Sequence, residues 1–355
     1  MQRAVRQDMR YAGQIGSEKS VGNHVPYTRH VDEATLRTKD GMFLSIIKID
    51  GFCHQTADQG DIDMEAASRN TLLRALADSR FAVYSHIVRR RIPPNIEGDF
   101  DVEFCRQLDE RYMESLGAAR MYSNALYLTV IRRGYQGKVG LADTLFSKFR
   151  KARVSQRKLW SWKHARSFAI MSPISSKALI GMVPVSSKRS RAGSVFSEPI
   201  EFLAQLVNGG AAAKMLLPRM PLDTYIPQRR ITFGRRMLEL RGTNDAECRF
   251  GAMLSIREYT PYTAAGMLDG LLKVPGEFIL SQSFALQDRA PILSEMDRVE
   301  RQISVSDERG TSLEAAINTA KDELVNGRAV MGYHHLNRHG AWQTPSRRQK
   351  PARRP

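Results

Sequence analysis

Lys39-Asp-Gly-Met-Phe-Leu-Ser-Ile-Ile-Lys-Ile49 sets the fold class of this chain. Asp40-Gly41 is a turn dipeptide, because glycine enters the left-handed region without steric cost. The run from Met42 to Ile49 is rich in β-branched and aromatic residues, which suit a pleated, half-buried surface. Leu36 to Asp50 therefore predicts a hairpin. Working outward, Asp61 or Asp63 is placed to cap a helix carrying Ile62, Ala66, Leu72, Leu73 and Leu76. Phe81 to Val88 reads as a strand, Val102, Cys105, Leu108 and Tyr112 mark an amphipathic helix, and Tyr122 to Ile131 reads as a strand again. The order β-α-β-α-β predicts an α+β, α/β-like module.

A second block repeats the scheme. Cys248 to Tyr259 and Glu277 to Leu286 read as strands, with a helix near Pro261 to Leu272 between them. Ile292, Met296, Val299 and Ile303 follow helical spacing, as do Leu313, Ala316, Ile317, Ala320 and Leu324, and Asn326-Gly327 is a helix stop. Ala329 to His334 predicts a closing strand. The expected organisation is an N-terminal extension over 1–24, a first α/β module over 25–150 and an irregular basic segment over 151–194. A second module over 195–336 and a disordered basic tail over 337–355 complete it, the two modules carrying mixed sheets.

The formal charge is +17 from 54 basic and 37 acidic residues, but it is unevenly placed. Thr144 to Ser197 holds 54 residues, 12 Lys or Arg and no acid, where an even distribution would put about six acids. Leu324 to Pro355 is also acid-free, with six Lys or Arg from Asn337 onward. Without these 18 cations the remainder balances at 36 basic against 37 acidic residues. All three tryptophans, Trp160, Trp162 and Trp342, lie in the two acid-free stretches. Lys and Arg interleaved with aromatics raise a nucleic-acid reading, since cations meet phosphates and rings stack on bases.

Other classes are not supported. The sequence has no apolar run long enough for a membrane helix, and its first residues lack the apolar core of a secretory signal. Cys53, Cys105 and Cys248 have no metal-ligand spacing and fit a reducing cytosol. Gly134-Tyr-Gln-Gly137-Lys138-Val139 is the nearest approach to a phosphate-binding loop. It lacks the spacing, and Val139 stands where a magnesium-holding Ser or Thr is required, so a solvated loop is the simpler reading. Gly209-Gly210 before Lys214 reads as a helix C-cap. His334-His335 on a strand would point to opposite faces and so not share a metal; His54 and His86 are isolated. Arg89-Arg90-Arg91 reads as a solvated strand end, with a phosphate or an acidic partner as the alternative. No catalytic, cofactor-binding or metal-binding residue is assigned.

Five stretches carry a family resemblance: Val25 to Phe52, Thr71 to Arg91, Val195 to Gly210, Leu217 to Gly234 and Gly327 to Leu336. In their order they resemble the N-terminal and central region of type IV secretion ATPases of the CagE/TrbE/VirB family. The resemblance implies a bacterial cytoplasmic ATPase, peripheral to the inner membrane, that self-associates, contacts other secretion subunits and energises export of protein or conjugative DNA. ATP and magnesium belong to the RecA-like motor of the full-length family. This chain is expected to be truncated before that motor, so none of the family's nucleotide-binding residues carries over and ATP hydrolysis by the chain alone is not expected. Around Val154 to Gly193 and after Leu336 the sequence departs from the family by turning basic and acid-free. Shifted reading frames or basic insertions both account for that. Alternative functions are a stand-alone basic nucleic-acid-binding protein and a scaffold subunit that docks a separate motor.

Overall fold

The computed structural model describes residues 20–51, 56–92, 101–118, 121–133, 182–189, 194–210, 213–234, 237–243, 248–256, 258, 267–305 and 310–339. The hairpin read at Asp40-Gly41 is present. β1 (Tyr27–His30), β2 (Thr35–Thr38) and β3 (Phe43–Ile49) form a meander, with Gly41 at φ +82° in the second turn. Asp32 closes the first turn, its Oδ1 accepting from the Ala34 and Thr35 amides at 3.0 and 2.7 Å. Helix α1 (Gln59–Ala75) follows; it starts after Asp58, earlier than the expected caps, and leaves Asp61 in the first turn, where its charge opposes the positive helix end. β4 (Phe81–Arg91), α2 (Glu103–Ala118) and β5 (Tyr122–Arg132) come next.

The α+β class holds, but every strand pairing among the described residues is antiparallel where mixed sheets were expected. The reason lies in the connections. β4 and β5 pair directly, with Arg91 opposite Tyr122, so α2 leaves and re-enters the sheet at one end. It lengthens a hairpin instead of carrying the chain back across a face. The same holds for β13 (Phe278–Leu286) and β14 (Gly332–His339), which pair through Leu286 and Gly332 around helices α6 (Arg289–Val305) and α7 (Gly310–Val325). α1, by contrast, acts as a crossover: β3 and β4 both run antiparallel to β5 and are therefore parallel to each other.

The remaining elements are short. They are β6 (Met182–Pro184), β7 (Ser187–Arg189), β8 (Val195–Ser197), α3 (Glu198–Val207), α4 (Leu222–Tyr225), β9 (Arg230–Phe233), β10 (Leu238–Arg241), β11 (Arg249–Gly251), β12 (Met253–Ser255) and α5 (Asp269–Leu272). The main sheet runs β1-β2-β3-β5-β4-β13-β14-β12, with β6 alongside the second half of β3. Strands of both sequence blocks thus share one sheet, joined where β13 pairs β4 from Phe278↔Arg89 to Ala285↔Ala82. The strand expected over Cys248 to Tyr259 divides at Ala252: β11 joins a three-stranded sheet with β10 and β9, whereas β12 joins β14. Part of the segment expected to be irregular is ordered, because Val185 is buried and its amide donates to the Ile46 carbonyl at 3.0 Å. The closing strand starts at Gly332 and runs past His334, and Gly327 at φ +68° ends α7 as read.

Strand alternation divides the core between two faces. On one, α3 lays Ile200, Phe202, Leu203 and Ala204 against Leu44, Ile46, Val88 and Ile279, with Leu222 and Ile226 closing the edge. On the other, Leu72, Leu73 and Leu76 at the end of α1 cover Phe81, Val83, Leu128 and Leu286. Farther along that face Phe278, Leu280 and Leu336 pack with Ile87, Ile256 and Leu271.

Candidate docking surface

Ser197 anchors α3 to the first meander. Its buried hydroxyl caps the helix, accepting from the Ile200 amide at 3.3 Å, and lies 2.8 Å from Nε2 of His30. The other ring nitrogen, Nδ1, lies 3.0 Å from the Asp32 carbonyl oxygen and must donate to it. Nε2 of the neutral ring is then the acceptor of the Ser197 hydroxyl proton. Burial pulls the His30 pKa down, against an opposing pull from the Asp32 carbonyl and carboxylate. The unfolded chain, with its histidine near about 6.5, therefore takes up a proton first. Stability should fall as pH drops through that unfolded value towards the lower folded one, and should not depend on His30 above it. In urea titrations between about pH 7 and 5, His30→Gln should flatten this slope. An unchanged slope would remove His30 as its source.

A second cluster occupies the end of the main sheet from which α2 emerges. The Arg89 guanidinium lies 4.5 Å from the Tyr122 ring centroid and 5.9 Å from that of Phe278, and its Nη1 donates to Asn124 Oδ1 at 3.2 Å. Arg338 lies 4.6 Å from the centroid of the same buried Phe278 ring. The Nε atoms of Arg89 and Arg338 are buried without a hydrogen-bond partner among the described residues. Glu277 is an acid at this end: Oε1 accepts from the Arg91 amide at 3.0 Å, and Oε2 pairs with Arg249 Nη1 at 3.1 Å. Burial lowers the Arg90 pKa, with Tyr127 and Glu277 pulling the other way. The arginine run read as a solvated strand end is thus partly enclosed, with an acidic partner 186 residues from Arg91 in sequence.

Three apolar side chains of α2, the helix between β4 and β5, are largely uncovered. Phe104 is 71% exposed, Leu108 58% and Tyr112 55%.

The other residues weighed in the sequence separate in space. Gly209 and Gly210 have φ of +71° and +82° and end α3, the Gly210 amide donating to the Gln205 carbonyl at 2.7 Å, so they form a C-cap. His334 lies opposite Phe284 and His335 opposite Ser283 on β14. Among the described residues no three His, Cys, Asp or Glu side chains are grouped to hold a metal. His86 is buried, with Nδ1 2.8 Å from Ser281 Oγ and the Phe202 ring 5.5 Å away. The Gly134 to Val139 loop, Cys53, His54, the three tryptophans and residues 340–355 lie outside the described residues, whereas 337–339, expected as the start of a disordered tail, are the end of β14, paired with β13. No described helix is long and apolar enough to cross a membrane.

Comparison with known proteins places these elements. Residues 34–139 match the N-terminal domain of the type IV secretion system ATPase VirB4/TrbE. Residues 185–337 match the CagE, TrbE, VirB family, component of type IV transporter system. The chain belongs to this family. Type IV secretion system protein virB4 of Bartonella quintana is 31% identical over 318 residues, 88% of this chain and 40% of that protein. The virB4 protein of Brucella suis is 27% identical over 333 residues, 92% of this chain and 40% of its own length. PtlC of Bordetella pertussis is 24% identical over 336 residues, 92% of this chain and 39% of its own. The chain thus spans about 40% of the length of these curated relatives. The gap between the two VirB4-family matches, 140–184, falls mostly within the acid-free stretch, and the second match ends at 337, where the basic tail begins. It starts at 185, ten residues before the Val195 at which the sequence alone regains the family pattern.

Proposed function

We propose that this chain is a non-hydrolytic part of a type IV secretion ATPase, contributing assembly contacts with other secretion subunits at the inner face of the bacterial inner membrane. In this reading ATP and magnesium are handled by family sequence that these 355 residues do not match, and the motor energises export of protein or conjugative DNA. The carrying observation is the pair of family matches spanning both sequence blocks, in a sequence without a phosphate-binding loop of the required spacing. Backbone amides, a lysine and a magnesium-holding hydroxyl must converge on a nucleotide, and Gly134 to Val139 supplies neither the spacing nor the hydroxyl.

The purified chain should release no phosphate from magnesium ATP above a protein-free blank. Turnover that is magnesium-dependent and abolished by Lys138→Ala would overturn this and make the loop catalytic. Co-purification with inner-membrane secretion subunits supports the assembly role.

A further inference from the structure

We infer that α2 is a docking site for a basic, apolar-faced helical segment of another polypeptide. Phe104, Leu108 and Tyr112 recur every fourth residue and so form one stripe along the helix. More than half of each of these side chains is exposed, and among the described residues none of the three core clusters includes a residue of α2. The topology explains why: α2 enters and leaves at one end of the β4–β5 pair, so it has no sheet face to cover. An amphipathic helix in water gains stability chiefly by burying its apolar face, and here none of the described core clusters covers that face.

Charge selects the occupant. Between Asp101 and Glu114 the sequence carries five acids, Asp101, Glu103, Asp109, Glu110 and Glu114, against Arg106 and Arg111, in a chain of net charge +17. Glu103 is engaged by Arg106 and by Gln107 Nε2 at 2.9 Å. Among the described residues Asp109, Glu110 and Glu114 have no ion pair. Anionic lipid and nucleic acid are repelled by such a surface, and a second copy would set acid against acid. A helix with leucine-like residues along one side and Lys or Arg beside them satisfies both the stripe and the uncompensated carboxylates.

The test uses the full 355-residue chain and two labelled helical peptides, one of leucine and lysine and one of leucine and glutamate in the same pattern. Fluorescence anisotropy should show binding of the leucine–lysine peptide and none of the leucine–glutamate peptide. Phe104→Ser/Leu108→Ser should weaken binding by at least about tenfold with an unchanged circular dichroism spectrum, because truncating central apolar anchors costs most. Asp109→Lys/Glu114→Lys should move the preference towards the leucine–glutamate peptide. Equal binding to wild type and the serine variant would reduce the effect to charge alone and overturn the inference. So would equal binding of both peptides, no binding, or a dimer in sedimentation that the serine variant abolishes. The ATPase measurement is independent of all these outcomes.

Discussion

Phe202→Ala should destabilise the fold by about 3–5 kcal/mol, the range for removing a buried aromatic ring, against a total stability of about 5–15 kcal/mol. Phe202 is 2% exposed, and its ring centroid lies 4.2 Å from that of Tyr127 and 5.5 Å from that of His86. It is where α3 meets the strands β4 and β5, so the cavity would open at the seam between helix and sheet. Its neighbours are fixed by the backbone of the sheet and cannot collapse into the space, which places the cost at the upper end. Phe104→Ala is the matched control: the same atoms are deleted from an exposed site, and the change should stay within about 0.5 kcal/mol. Urea denaturation followed by circular dichroism compares the two. Similar midpoints for both variants would mean that α3 does not hold this face of the core.

The contrast between Phe202 and Phe104 also shows what the sequence could convey. The period of Ile292, Met296, Val299 and Ile303 and the Asp40-Gly41 turn are local signals, and both elements are where those signals put them. α3 shows in the sequence only by its Gly209-Gly210 stop: it is amphipathic, with Ile200, Phe202, Leu203 and Ala204 buried beside Glu198 and Glu201, but ten residues give its period few repeats to register. β9 and β10 are four residues long, too short for alternation to register, and of the strand read over Cys248 to Tyr259 only its division into β11 and β12 was hidden. α2 was visible as an amphipathic helix, but hydrophobic spacing cannot tell a helix that crosses a sheet from one inserted into a hairpin. Burial of Phe202 and exposure of Phe104 therefore had to come from topology. The rim was half legible: the arginine run announces itself, whereas Glu277 lies on another element far along the chain.

Asn208→Ala should cost about 3 kcal/mol, because it orphans groups on two segments at once. Asn208 is 2% exposed and terminates α3. Its Nδ2 donates to the Ala204 and Ile226 carbonyls, each at 2.9 Å, and its Oδ1 accepts from the Gln228 amide at 2.8 Å. The side chain thus satisfies the end of α3 and fastens the stretch after α4, where Leu222 and Ile226 are 1% and 0% exposed. Alanine leaves the Ile226 carbonyl and the Gln228 amide without this partner, in a site where the lost side chain had excluded water. Asn208→Asp retains an acceptor for Gln228 but turns a carboxylate oxygen on two carbonyls, so it too should destabilise. Hydrogen exchange separates this local linkage from a general loss of stability. In Asn208→Ala, the Gln228 amide should lose protection by a larger factor than amides in the β4–β13 pairing. Retained protection at Gln228 would show that α4 is held by its apolar contacts alone and that the asparagine serves only as a helix end.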